Sequence, residues 1–234
     1  MLAKRIIPVM LVRGDLLVKG RGFSCDRVVG SAIQAARVHA SREVDELCIL
    51  DISATAEGRG PDIGMIATLT EDSFIPVSVG GGVRTDQQIR DLLLAGADKV
   101  VIGQAFRNDP DFVRNAAYKY GSQAITVSID YPKQDISDAI RAVDCGAGEI
   151  LLNNMERDGT MAGYDIELIE AFSDLSVPVI ACGGCESYDD MEAAFCAGAS
   201  AVGVGALFLF DDATPNGAAK YLLGRGLEVR CVAA

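Results

Sequence analysis

Pro76-Val77-Ser78-Val79-Gly80-Gly81-Gly82 is an apolar run of strand length that ends in three glycines. Such a run reads as a buried strand, and glycine suits a backbone that must turn sharply or approach a ligand closely. Helical spacing follows at Ile89, Leu92 and Leu93. Then come Ala95-Gly96-Ala97-Asp98-Lys99 and a second apolar run from Val100 to Gly103. The same unit recurs 102 residues later without a gap, starting from Val177. Pro76 matches Pro178, Gly81 matches Gly183, Gly82 matches Gly184, Gly96 matches Gly198 and Gly103 matches Gly205. The repeat is explained by duplicated structure. Two glycine-rich strand ends in equivalent places also offer two anion sites.

Working outward, Ile6 to Val12 reads as the first strand, and Leu17-Val18-Lys19 as a small added strand. A helix is expected over Ser31 to Ser41, with Ile33, Ala36 and Val38 toward the core. Glu46 to Asp51 gives strand two, Ala124 to Ile129 strand five and Glu149 to Asn153 strand six. The two glycine units supply strands three, four, seven and eight. Helices are expected over Ile63 to Leu69, from Asp109-Pro110, near Ile136 to Val143, over Asp165 to Phe172 and around Gly217 to Leu223. Strand and helix alternating eight times indicate parallel β/α architecture. With no linker or composition break, residues 1–234 are expected to form one domain. The repeat reaches back to Asp45-Glu46-Leu47 and Gly148-Glu149-Ile150, which favours a two-fold (β/α)8 TIM barrel over an open doubly wound sheet.

Half of the 234 residues are hydrophobic, and the net charge is −12. This composition fits a globular chain with no nucleic-acid or anionic-membrane partner, yet backbone N–H groups can still bind a phosphate locally. No apolar stretch approaches the length of a membrane span. Seven cysteines, mostly within strand- or helix-like runs, suit reduced thiols in the cytoplasm. Cys182-Gly183-Gly184-Cys185 has C-x-x-C spacing but lacks a second pair. The sole histidine, His39, reads as a surface helix residue. Neither a metal, a cofactor nor a histidine-activated nucleophile is expected, so acid/base work falls to carboxylates.

In a barrel of this kind, chemistry gathers at the C-terminal strand ends. Those positions carry Leu11, Asp51, Gly80 to Gly82, Gly103-Gln104, Asp130, Asn153 to Asp158, Cys182 to Gly184 and Gly205-Ala206. Asp51 reads equally as a substrate ligand or a loop cap. Asp130 closes strand five as a candidate acid/base.

The chain resembles the cyclase subunit of imidazole glycerol phosphate synthase over nearly its whole length. The resemblance rests on Met1 to Pro8, Val18-Lys19-Gly20, Asp45-Glu46-Leu47, Leu50-Asp51-Ile52 and Val79 to Gly82. It continues through Gly96 to Val100, Gly121-Ser122-Gln123, Gly146 to Leu152, Arg157 to Thr160 and Gly163-Tyr164-Asp165. It implies a (β/α)8 barrel paired with a glutaminase subunit in a heterodimer. Ammonia would enter past a ring of Arg5, Glu46, Lys99 and Glu149, with Asp98 at the partner-facing end. The phosphorylated substrate would be held at the mouth by Gly81, Gly82, Gly103 and Gln104 on one side and Gly183, Gly184, Gly205 and Ala206 on the other. Asp130 would be catalytic, Asp158 with Gly159 would orient substrate, and Lys19 would close over the site beside Asp51.

The resemblance breaks at the mouth. The family's strand-one catalytic aspartate falls at Leu11, which can neither give nor take a proton. Gly103-Gln104, Asn153 and Ala206 also depart from the family. Only 18 positions separate Asp130 from Gly148, too few for the family's hairpin and lid. The pattern suits a diverged paralog, such as those that supply ammonia for amidinating bacterial surface sugars. A histidine-pathway cyclase, a non-catalytic scaffold that activates a glutaminase and a flavin-binding barrel remain the competing readings.

Overall fold

The computed structural model describes residues 3–24, 27–71 and 73–230. Met1 and Leu2 of the N-terminal block quoted above, together with Cys25 and Cys231, lie outside them. β1 (Arg5–Arg13) leads into a hairpin of β2 (Leu16–Lys19) and β3 (Arg27–Ser31). The chain then runs through α1 (Ala32–Ser41), β4 (Leu47–Asp51), α2 (Ile63–Thr70), β5 (Val77–Gly80), α3 (Asp86–Leu94) and β6 (Lys99–Ile102). Next come α4 (Gln104–Asn108), α5 (Pro110–Tyr120), β7 (Ile125–Tyr131), α6 (Ile136–Asp144) and β8 (Glu149–Asn154). The last elements are α7 (Ile166–Phe172), β9 (Val179–Cys182), α8 (Tyr188–Cys196), β10 (Ala201–Val204), α9 (Ala206–Phe210) and α10 (Pro215–Gly224).

β1 and β4 through β10 pair in parallel in sequence order, and β1 pairs again with β10, so the sheet closes into an eight-stranded barrel. Closure leaves these strands without a free edge. Side chains alternate. On β1, Met10 and Val12 face the helices, whereas Ile7 and Val9 face the barrel axis. Cys48, Val101, Leu151 and Ile180 join them in a buried inner layer. The barrel interior is therefore packed rather than open, as expected for eight strands.

The hairpin extends the antiparallel pairing of Leu11–Arg13 with Leu16–Val18, outside the barrel itself. β3 was not expected from the sequence. Its residues are mostly exposed, so it carries no apolar alternation to mark it.

Local capping explains where most helices start. Ser31, Asp62, Thr85, Asp109, Asp135, Asp165, Ser187 and Thr214 each accept a backbone N–H bond at a helix N-terminus. Each such cap is worth about 1 kcal/mol. α4 and α9 differ: they begin on Gly103 and Gly205 with no side-chain cap. The missing cap is also why the sequence reading passed over both helices.

One helix face required correction. Ala32, Ala36 and His39 are the buried residues of α1, an i, i+4, i+7 stripe. Val38, expected inside, is exposed, and His39, expected on the surface, is only 5% exposed. Burial, with Arg42 nearby, lowers the His39 pKa to about 4, and its Nδ1 is buried without a hydrogen-bond partner.

Candidate functional site: a charged base and a two-sided mouth

At the N-terminal end of the barrel, Arg5, Glu46, Lys99 and Glu149 form a closed ring of alternating charge. Arg5 binds Glu46 at 2.6 Å and also pairs with Glu149. Lys99 reaches Glu46 at 2.8 Å and Glu149 at 2.9 Å. Both glutamates are buried. Burial alone would lower the Arg5 pKa, but Glu149 and Glu46 more than offset it and hold the guanidinium above its ordinary range. Glu46 accepts both cations on Oε2, and its buried Oε1 has no partner. Asp98 is exposed beside the ring, and its carboxylate accepts the Val77 N–H at 2.8 Å. Directly above the ring, strand register sets Ser78 against Lys99 and Thr126 against Glu149.

The opposite end holds a cavity of about 350 Å³, within the range typical of small-molecule sites. Its wall includes Leu11, Lys19, Asp51, Gly80 to Gly82, Gly103, Gln104, Asp130, Asp158, Gly159, Gly183, Gly184, Gly205 and Ala206. Of the strand-end positions named from the sequence, Asn154 to Arg157 lie off this wall; the others line one cavity.

Asp130 is held in one orientation. Its Oδ1 accepts hydrogen bonds from Ser128 Oγ and Asn153 Nδ2, both at 3.1 Å. Asn153 also donates to Ser128 at 3.0 Å. Gln134, only 3% exposed, clamps the backbone of the same aspartate. Its Oε1 accepts the Asp130 N–H at 3.2 Å, and its own N–H donates to the Asp130 carbonyl at 3.1 Å. Ser128 was missed in the sequence although it stands two residues before Asp130, the spacing that puts both on one strand face. No comparable signal marks Gln134.

Asp51 is engaged differently. It accepts from the Ser53 and Ala54 backbones and from Ser53 Oγ, each at 3.1 Å. Arg59 binds it in bidentate fashion at 2.7 and 3.1 Å. These bonds fix the loop after β4. Lys19, 5% exposed, forms an ion pair with Asp158. Asp158 Oδ2 remains buried without a partner. Gly22 N–H donates to the Asp158 carbonyl at 2.9 Å, so the first loop is strapped across to the loop after β8.

The paired glycines match in geometry as well as in sequence. Gly81 has φ +115°, and a Cβ there would lie 2.2 Å from the Asp51 carbonyl oxygen. Gly183 has φ +97°, with the corresponding Cβ 2.5 Å from the Asn154 carbonyl oxygen. Each strand end therefore packs on the backbone of the preceding barrel strand, and only glycine fits. The uncapped starts of α4 and α9 lie beside them.

The C-x-x-C cysteines are unsuited to thiolate chemistry. Burial pushes Cys182 well above the ordinary thiol range and Cys185 up to about 12. Among the described residues, no group of three or more His, Cys, Asp or Glu side chains is placed to hold a metal.

Fold and site together define a (β/α)8 barrel with a duplicated mouth at one end and a charged ring at the other. The family model described as "Histidine biosynthesis protein" matches residues 5–214. The imidazole glycerol phosphate synthase subunit HisF of Dictyoglomus thermophilum is 38% identical over 98% of this chain and 99% of its own. A Vibrio vulnificus protein, "Putative imidazole glycerol phosphate synthase subunit hisF2", is 37% identical over 98% of this chain and 92% of its own. The chain belongs to the HisF family of histidine biosynthesis proteins.

Proposed function

We propose that this chain is a diverged cyclase-type subunit that receives ammonia from a glutaminase partner at the charged base and delivers it to a phosphorylated substrate at the mouth. One contrast carries the reading. The basal ring keeps all four charges paired, whereas Leu11 stands opposite Asp130 where the family has a second carboxylate. Two aspartates can divide the giving and taking of protons; a single one supports one relay at a time.

The route through the barrel has a physical rationale. The unpartnered Glu46 Oε1 can accept a bond from an N–H of passing ammonia, and the unpartnered Thr126 Oγ1 offers a second polar contact above it. Beyond them, Val101, Leu151 and Ile180 form an apolar collar. A collar of this kind passes neutral ammonia and disfavours ammonium, because an unpaired charge is costly to bury. Asp98, exposed beside the ring, faces the partner. At the mouth, Asp130 acts through its unbonded Oδ2, and Asp158, paired with Lys19, orients the substrate with Gly159 beside it. Gly81, Gly82, Gly103 and Gln104 form one anion-binding edge, and Gly183, Gly184, Gly205 and Ala206 the other. Asp51 shapes the first edge through Arg59.

The test is turnover of the family's ribulose-linked aminoimidazole bisphosphate with ammonium salt, compared with an intact cyclase. The expected rate is lower by about 10²-fold or more, the size of a lost acid/base group. A comparable rate overturns the divergence and returns the chain to the histidine-pathway reading, which its 37–38% identity to named synthase subunits favours.

A further inference from the structure

The internal repeat gives the two edges of the mouth matching backbone and opposite charge. Two residues past Gly82 stands Arg84, and two residues past Gly184 stands Glu186. Both are exposed, and both lead into a helix in the same way. The N–H groups of Arg84 and Thr85 donate to Gln88 Oε1 at 2.8 and 3.1 Å. Those of Glu186 and Ser187 donate to Asp190 Oδ2, each at 2.9 Å. Thr85 and Ser187 complete the two capping boxes. What changes from one copy to the other is the sign of the side chain. Arg84 lies on the cavity wall, and Glu186 does not.

Among the described residues, Arg84 and Lys19 are the cations on that wall. They are not equally available. Lys19 belongs to the second edge, with its Nζ 3.7 Å from the position of a Cβ on Gly205. It is buried and paired with Asp158, so an anion arriving there meets a charge already answered. On the first edge, Arg84 donates to the Gly58 carbonyl at 2.8 Å, a bond that orients the guanidinium without neutralising it. The carboxylates of that loop, Asp51 and Glu57, are both bound by Arg59. Among the described residues, no carboxylate pairs with Arg84. Its remaining donors are free to grip two oxygens of one phosphate.

From this asymmetry we infer that Arg84 is the phosphate anchor of the mouth and ranks its two edges. A substrate phosphorylated at both ends docks first by the phosphate that meets Arg84 beside Gly81 and Gly82. Its other phosphate then settles on the weaker edge at Gly183, Gly184 and Gly205. The inference rests on the proposed function for the mouth as the phosphate-binding end. It adds the order of the two edges and the side chain that sets it.

The experiment is titration of the isotope-labelled chain with inorganic phosphate, followed by amide NMR at low ionic strength so that an exposed cation is not screened. The amides of Gly81 and Gly82 report the first edge, and those of Gly183 and Gly184 the second. First-edge signals should reach half-saturation at about tenfold lower phosphate than second-edge signals, the scale of one hydrogen bond to a charged group. Arg84→Gln should erase that lead, weakening the first edge by about tenfold and leaving the second within about twofold. Arg84→Lys, which keeps the charge but not the fork, should recover part of it. The amide spectrum of each variant also establishes that it is folded. Equal or reversed midpoints in the wild type, or a first edge unmoved in Arg84→Gln, overturn the inference and leave the proposed function standing. Silence at both edges overturns the phosphorylated substrate as well.

Discussion

The two ends of the barrel are built on opposite terms. At the base, four long charged side chains satisfy one another, and two of them are almost wholly buried. At the mouth, Asp130 is held by neutral donors and Asp158 by a single cation, and each keeps an oxygen unbonded. An interlocked set of charges resists piecemeal change, because losing one member strands the others in a poor solvent. A mouth assembled from separate loops can exchange a residue such as Leu11 without that cost. The contrast thus gives a physical reason for one end to stay fixed while the other diverges.

The sharpest way to break this comparison is Arg5→Met. It leaves Glu46 and Glu149 buried with Lys99 as their one remaining cation in the ring, and the expected loss is about 3–5 kcal/mol in urea unfolding. Asp130→Asn at the mouth keeps both donors to Oδ1 within reach of an acceptor and should cost no more than about 1.5 kcal/mol. A base variant that is no less stable than the mouth variant would refute the account of why the two ends differ.

The paired glycines offer a finer measure within the mouth. Gly183→Ala would force a side chain at φ +97° against the Asn154 carbonyl. The expected cost is about 2–4 kcal/mol, strain and overpacking together. Gly14 also has positive φ, +57°, but a Cβ there meets nothing within 4 Å. Gly14→Ala should therefore cost only about 1 kcal/mol. Equal melting temperatures for the two variants would mean that the strand-end glycines are held by backbone angle alone, not by contact.

Most of the barrel was legible because the repeat and the strand periodicity are properties of neighbouring residues. The residues at strand ends could be named for the same reason: once eight strands are counted, position follows. What escaped depends on contacts between distant segments. Register between strands far apart in sequence sets Leu11 level with Leu50, Leu50 with Gly80 and Gly80 with Val101, so these four do not read as one row in the sequence. Arg59 could not be assigned to Asp51, nor Gln134 to the Asp130 backbone, since neither pairing has a sequence signature. The starts of α4 and α9 were invisible because glycine there carries no capping group. On α1, Val38 and His39 were exchanged between surface and core because a ten-residue helix leaves the buried stripe ambiguous by one position.

That exchange yields a prediction on the wall joining the two ends. His39 titrates near 4 in the folded chain, against an ordinary value of 6.5, because burial disfavours its cation. The unfolded chain therefore takes up the proton first as pH falls. Above about pH 6.5 the imidazole is neutral in both states and makes no difference. Between about 6.5 and 4 the folded state loses ground, by about 2–3 kcal/mol in total, and below 4 the effect levels off. Other groups titrate in the same window, so the quantity to measure is the stability of the wild type minus that of His39→Leu, by urea unfolding at intervals from pH 7 to 4. That difference should fall steadily with pH. A flat difference would show that protonation of His39 is not coupled to folding, and that its unpartnered Nδ1 is reached by water.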